Sequence, residues 1–176
     1  MKKDGCDDIK YFFCVAGIFL RKPMKDVSKE ERKAMIATHL DGPIEVLQQF
    51  HRHQKTPYHL VTIASTSSWR MRDNETLYCA LKAAKAAFTR NFARELARDF
   101  PGSKTTLVNP GGLKTPNFWD ASGQDISAFM EPDKVAKIIW DEVAGQTTNY
   151  KELQIIRNND GSPKIEYGPK IPELPF

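Results

Sequence analysis

Along this chain of 176 residues, short apolar runs alternate with longer amphipathic stretches. The first run, IKYFFCV at 9–15, is continuous, of strand length and closed by Ala16-Gly17, as a strand buried on both faces would be. Ser28 and Glu31 stand at capping-box spacing and open a helix whose one face carries Met35, Ile36, His39 and Leu40. Gly42-Pro43 must kink or restart that helix, because proline lacks the N–H donor and crowds the preceding turn. Ile44, Leu47 and Phe50 carry the apolar face on, giving a helical region over 28–52. YHLVTIAS at 58–65 is a second buried strand. Asp73 or Asn74 is placed to cap a long helix that runs to Phe100 and stops at Pro101-Gly102, with Leu77, Leu81, Ala84, Phe88, Phe92 and Leu96 inward. KTTLVNP at 104–110 is a third strand, ended by Pro110-Gly111-Gly112. After a loop, a helix opens at Pro132 and closes at Gly145, with Val135, Ile138, Ile139 and Val143 on its core face. ELQIIR at 152–157 is a fourth strand, and Asn159-Asp160-Gly161 turns the chain into a tail over 158–176.

Strictly alternating strands and helices predict one α/β domain: right-handed crossovers and a parallel sheet with helices on both faces. In such sheets binding sites form outside the carboxyl ends of the strands. Ala16-Gly17, Ser65 and Pro110-Gly111 occupy those positions.

Composition narrows the function classes. The chain is 40% hydrophobic and 27% charged with a net charge of +4, the profile of an ordinary globular protein. Arg90, Arg94 and Arg98 lie on one helical stripe beside Glu95 and Asp99, which reads as a solvated or subunit-facing surface and does not imply nucleic acid. Three cysteines (Cys6, Cys14, Cys79) without metal-ligand spacing suit a reducing compartment, and His51 and His53 have no partners that would argue for zinc. Asn74-Glu75-Thr76 matches a glycosylation sequon short enough to arise by chance. The apolar run from Tyr11 to Leu20 is too short to span a bilayer. Asp4, Asp7 and Asp8 before it, and Arg21-Lys22-Pro23 after it, do not fit a cleavable leader, so the expected setting is cytoplasmic with no membrane partner.

Candidate chemistry lies on the second long helix. Tyr78 and Lys82 are one turn apart, about 6 Å along the axis and on one face. An ammonium beside a phenol stabilises the phenolate, lowering a pKa that starts near ~10 and letting tyrosine act as an acid or base. Ser65 lies 13 residues earlier at the end of the preceding strand, where its hydroxyl can hydrogen-bond a carbonyl that the tyrosine protonates. The order of these residues resembles the short-chain dehydrogenase/reductase family. VTIASTSS is similar to its V-N-I-S-S segment, YCALKAAKAAFTRNFARELA to its Y-x-x-x-K helix, VNPGGLKTP to its P-G-x-h-x-T stretch, and EPDKVAKIIWDEV to its late P-E-x-V-A helix. The resemblance covers residues 9–157.

It implies a Rossmann-like sheet and carbonyl/alcohol oxidoreduction with NAD or NADP, on a small-molecule substrate. Ser65, Tyr78 and Lys82 would be catalytic, Tyr78 and Lys82 would also hold the nicotinamide ribose, and Ala16, Gly17, Pro110, Gly111, Leu113 and Thr115 would line the cofactor. The loop from Asn117 to Met130, with Phe118, Trp119 and Phe129, would cover an apolar substrate. The helices over 28–52 and 76–100 match those that pair subunits in the family, so a homodimer or homotetramer is expected. Two positions depart from the pattern. Cys14-Val15-Ala16-Gly17 replaces N-N-A-G, and His39 stands where the family has the asparagine that holds a relay water. A histidine there can serve the relay or be a packed core histidine.

The ten glycines contain no G-x-x-x-G-x-G. The chain begins at the equivalent of the family's fourth strand, so the expected fold is its C-terminal part only, four strands equivalent to the fourth to seventh. On the order of 70 residues, two βα units and a strand, are absent. Those parts carry the phosphate-binding helix N-terminus. A fragment or mis-set start, a natural short paralogue acting as an oligomerising or interaction module without catalysis, and a gap filled by another chain are the readings this leaves. Each depends on what covers the apolar edge of the first strand.

Overall fold

A computed structural model describes residues 9–170. Cys6, the acidic start of the chain and residues 171–176 lie outside them. Strands β1 (Tyr11–Cys14), β2 (His59–Ile63), β3 (Lys104–Pro110) and β4 (Tyr150–Arg157) pair in parallel in that order. Between them run α1 (Lys29–Ile36), α2 (Gly42–His53), α3 (Thr76–Asp99) and α4 (Pro132–Ala144). The expected parallel sheet is present.

It carries one strand more than the sequence pattern indicated. Residues 158–161 do turn, with Gly161 N–H bonded to the Asn158 carbonyl and Gly161 at φ 83. The segment beyond is no tail: Pro163–Tyr167 forms β5, antiparallel to β4 at the sheet edge. PKIEY escaped notice because an edge strand is half solvated and shows no apolar run.

Both faces of the sheet are covered over β2 to β4, in agreement with expectation. β1 is not the fully buried strand its apolar run predicts: it lies at the edge of the described sheet with Tyr11 and Phe13 exposed. Leu60 packs with Leu47 of α2 and Leu96 of α3, and Leu107 with Ala86 of α3. On the opposite face Val61, Val108, Leu153 and Ile155 pack with Val135 and Val143 of α4. Uniform handedness does not hold, however. The strand order advances steadily from β1 to β4, so crossovers of one hand would put every helix on the same face. The β3–α4–β4 connection therefore has the opposite hand to the first two. The loop between β3 and α4 supplies the slack for that passage.

Local chemistry accounts for the element ends. Ser28 Oγ accepts from Glu31 N–H at 3.1 Å and Glu31 Oε2 accepts from Ser28 N–H at 2.7 Å, the capping box the spacing predicts. The proline restart is a single π turn, Ala37–Asp41, in which Gly42 N–H reaches back to the Ala37 carbonyl. Pro43 enters as the first turn of α2, where its missing N–H is harmless. The wide turn brings His39 to full burial. Neither Asp73 nor Asn74 caps α3: Glu75 precedes it with no side-chain cap, and Asn74 adopts a left-handed φ of 63°. That backbone aims the Asn74 carbonyl at Lys22 N–H, 2.6 Å away, tying the loop after β1 to the approach to α3.

Arg90 corrects the reading of its stripe as solvated surface. Its guanidinium grips the buried Glu152 of β4 with two bonds, 2.9 and 2.7 Å, and Tyr150 Oη (2.7 Å) and Asn109 Nδ2 (3.2 Å) complete the carboxylate's partners. This pair ties α3 to β4 across the sheet face. Removing the cation leaves a buried carboxylate short of charge, so Arg90→Met is expected to cost about 3 kcal/mol in urea denaturation. Unchanged stability would mean that apolar packing alone seats the helix.

Candidate active site

The carboxyl ends of β1, β2 and β3 open into a cleft of about 730 Å³. Its walls include nine of the ten residues singled out from the sequence: Ala16, Gly17, Ser65, Tyr78, Lys82, Pro110, Gly111, Leu113 and Thr115. Ser65 follows β2 in extended conformation, and its Oγ accepts from Ser67 N–H at 3.1 Å, closing the 3-10 turn Thr66–Ser68. The hydroxyl proton is left to be donated elsewhere. Ser68 Oγ donates to the Lys82 carbonyl at 3.1 Å, so this turn is bolted to the helix carrying Tyr78 and Lys82.

Tyr78 is 5% exposed and Lys82 4%, with the ammonium 5.5 Å from the phenol ring centroid. The expected depression of the phenol does not occur. Burial pushes the Tyr78 pKa up, and a hydrogen bond with Ser65 only partly opposes it. Lys82 is itself desolvated and repelled by Lys85, which brings it down to about 7, so its own charge is halved near neutrality.

The tenth residue, His39, lies behind the cleft, fully buried and edge-on to Tyr78 with ring centroids 5.5 Å apart. Its Nε2 lies 2.7 Å from the Ile18 carbonyl and 3.2 Å from Ile18 N–H. A carbonyl only accepts, so the shorter contact places the ring proton on Nε2 and leaves Nδ1 a buried acceptor with no partner among the described residues. Burial and the nearby Lys82 and Lys85 push its pKa down to about 4, so the ring is neutral. Gly17 permits this arrangement: a Cβ there would stand 3.1 Å from His39 Cε1 and 3.5 Å from Lys82 Nζ.

Lys85 is a site residue that the sequence reading missed. It is 3% exposed and its Nζ donates to the Ala16 carbonyl at 3.0 Å, holding the turn at the end of β1. Its position was the available signal, four residues after Leu81 and three before Phe88 on the apolar stripe of α3. Phe19 is a second omission, packing edge-on against Tyr78 at 4.9 Å.

The loop beyond β3 covers the cleft as expected. Leu113 and Met130 form a bridge, with Met130 N–H on the Gly112 carbonyl and Lys114 N–H on the Met130 carbonyl, so both ends of the loop are pinned. Between them the Trp119 ring centroid lies 4.5 Å from that of Phe19, tilted, and 4.9 and 5.0 Å from those of Phe118 and Phe129, edge-on. A second depression, about 680 Å³, lies under the β4–β5 turn by Lys114, Glu131 and Arg157. No tyrosine lines it. Among the described residues, no group of three or more His, Cys, Asp or Glu could hold a metal, and no helix is long and apolar enough to cross a membrane.

A family model described as enoyl-(acyl carrier protein) reductase matches residues 2–141. An uncharacterized oxidoreductase of Staphylococcus epidermidis is 32% identical over 103 residues, 57% of this chain and 44% of that protein. One from Staphylococcus aureus is 30% identical over 102 residues, 57% of this chain and 43% of that protein. The chain thus spans less than half the length of these curated relatives. Among solved structures, a short-chain dehydrogenase/reductase from Vibrio parahaemolyticus is 26% identical with a TM-score of 0.73, over 88% of this chain and 70% of that one. A putative dehydrogenase from Burkholderia cenocepacia with bound NADP shares the fold at 23% identity, with a TM-score of 0.70 over 84% of this chain and 60% of that one.

The buried imidazoles make stability acid-sensitive. His39 and His59 are both pushed down from 6.5 to about 4, chiefly by burial. A base that resists its proton when folded takes it up first when unfolded, so stability is full above pH 6.5 and falls as pH drops toward 4. Each histidine contributes a slope of up to about 1.4 kcal/mol per pH unit in that window. His39→Gln should flatten the fall measured by urea denaturation between pH 7 and 4.5.

Proposed function

The chain belongs to the short-chain dehydrogenase/reductase family, and we propose that it interconverts a carbonyl and an alcohol as an NAD(P)-dependent oxidoreductase. The observation carrying this reading is that Ser65, Tyr78 and Lys82, distant from one another in chain or in element, share the wall of one cleft at the carboxyl ends of parallel strands. Lys82 supports the nicotinamide part of it. The residue is only 4% exposed, yet its ammonium has no hydrogen-bond acceptor among the described residues, as fits a group waiting for ribose hydroxyls. Gly17, Pro110, Gly111, Leu113 and Thr115 would line the ring, with Ala16 held back by Lys85. The nicotinamide, when bound, supplies or takes the hydride.

The chain's own residues manage the proton. A phenol kept protonated by burial is the form that donates to a carbonyl oxygen, and the Ser65 hydroxyl, bonded to Tyr78, would turn its proton to that oxygen and hold it in place. Lys82, close to half-charged near neutrality, can pass a proton toward Tyr78. His39 Nδ1, buried and unpaired, is the acceptor that would hold the next donor or water of a relay. It serves where the family carries an asparagine. Exposed Ile36 and Val46 on α1 and α2 suit the homodimer or homotetramer, and we assign the protein to the cytoplasm.

Two measurements on the full chain test this. Tyr78→Phe should lower carbonyl-dependent NAD(P)H oxidation by roughly 10²–10⁴-fold while NAD(P)H binding persists. Lys82→Met should weaken that binding. Wild-type turnover in Tyr78→Phe would remove the tyrosine from the chemistry. A wild-type chain that binds no NAD(P)H would favour the non-catalytic interaction module.

A further inference from the structure

We propose that the cleft takes carbonyl or alcohol compounds built from an apolar body and an anionic tail, the tail held by Arg70 and Arg72. This rests on the carbonyl/alcohol reading above and narrows its substrate class.

Four cations line the cleft, Arg70, Arg72, Lys82 and Arg157, against a single carboxylate, Glu75. Two of the four already have work to do. Lys82 stands beside the phenol, and Arg157 donates through NH1 to the Ala128 carbonyl of the covering loop. Arg70 and Arg72 remain. Both are exposed at the mouth and neither forms a salt bridge among the described residues.

Their place in the chain decides which ligand they meet. They lie on the segment that joins Ser65 to Tyr78, hence on the side from which a carbonyl reaches the two hydroxyls. The residues assigned to the nicotinamide, Gly17, Pro110, Gly111, Leu113 and Thr115, line the cleft from other segments of the chain. Glu75 is a poor internal partner for the pair. Burial pushes its carboxyl up against the pull of Arg72 and Arg21, and no salt bridge joins it to either arginine among the described residues.

Phe19, Phe118 and Trp119 form the apolar part of the wall, with Phe19 edge-on to Tyr78. A flat or acyl body against those rings would place its polar end at the arginines. Walls of low dielectric around one sign of charge focus the field and raise the local concentration of anions. A guanidinium also offers forked donors that match a carboxylate or phosphate.

The test is binding, followed by tryptophan fluorescence, of benzyl alcohol, 4-(hydroxymethyl)benzoate and 4-(hydroxymethyl)phenyl phosphate to the full chain. The anionic compounds are expected to bind about tenfold or more tightly than the neutral one, as charge-assisted hydrogen bonds allow. That gap should narrow between about 20 and 200 mM salt. The double variant Arg70→Gln, Arg72→Gln, with an unchanged thermal melt, should lose the preference and keep the affinity for benzyl alcohol. Preference for phosphate or for carboxylate supports the proposal and identifies the tail. Equal binding of all three, or a preference that survives in the double variant, overturns it and leaves the carbonyl/alcohol reading intact. If none of them binds, the proposal falls, and the carbonyl/alcohol reading stands or falls by the NAD(P)H measurements above.

Discussion

Helix α3 has to lie flat on the sheet while carrying lysines on its buried side, and most of the molecule follows from that constraint. Ala86 and Ala93 keep the helix slim enough to approach β2 and β3, and Arg90 clamps it to Glu152. Lys82 and Lys85 are tolerable in that interface only because they sit where the strands end. There Lys85 finds the Ala16 carbonyl and Lys82 faces the cleft. A few residues further along, the same helix face is ordinary core, with Phe88, Phe92 and Leu96 against Leu60. Thus one helix is anchored by oil at one end and poised over chemistry at the other.

The electrostatics of the site follow from the same crowding. His39, Tyr78, Lys82 and Lys85 are packed together with no carboxylate among them, and each responds by shedding or refusing charge. Burial favours neutral imidazole, neutral phenol and a weakened ammonium, so near neutrality the phenol keeps its proton, the imidazole stays uncharged and Lys82 is the group that titrates. The carboxylate that does approach, Glu75, lies at the mouth, preceding the first residue of α3. It is partly desolvated there and feels the attraction of Arg72 and Arg21 without a salt bridge to either among the described residues.

Much of the fold was legible from spacing. The capping box at Ser28 and Glu31, the four parallel strands and the inward faces of α2, α3 and α4 all stand where periodicity puts them. What escaped was of another kind. β5 alternates at an exposed edge and gives no apolar run. The hand of the β3–α4–β4 crossover depends on which face is free once α2 and α3 are seated. Asn74 was plausible as a cap by type, yet its backbone was claimed by Lys22, a partner far away in the chain.

The candidate site divides the same way. Ser65, Tyr78, Lys82, Gly17 and the Pro110–Thr115 stretch were legible because hydroxyl, amine and glycine follow strands at fixed spacing, and the sheet then makes them neighbours. Lys85 was not, because its letter says surface and only its register says core. Sequence by itself determined the elements, their order and the reactive groups, since period, capping and turn chemistry act over a few residues. Tertiary structure decided the charge each group carries, with Tyr78 pushed up where its neighbouring lysine predicted down. Burial and through-space repulsion set a proton's affinity, and both arise only when distant segments pack.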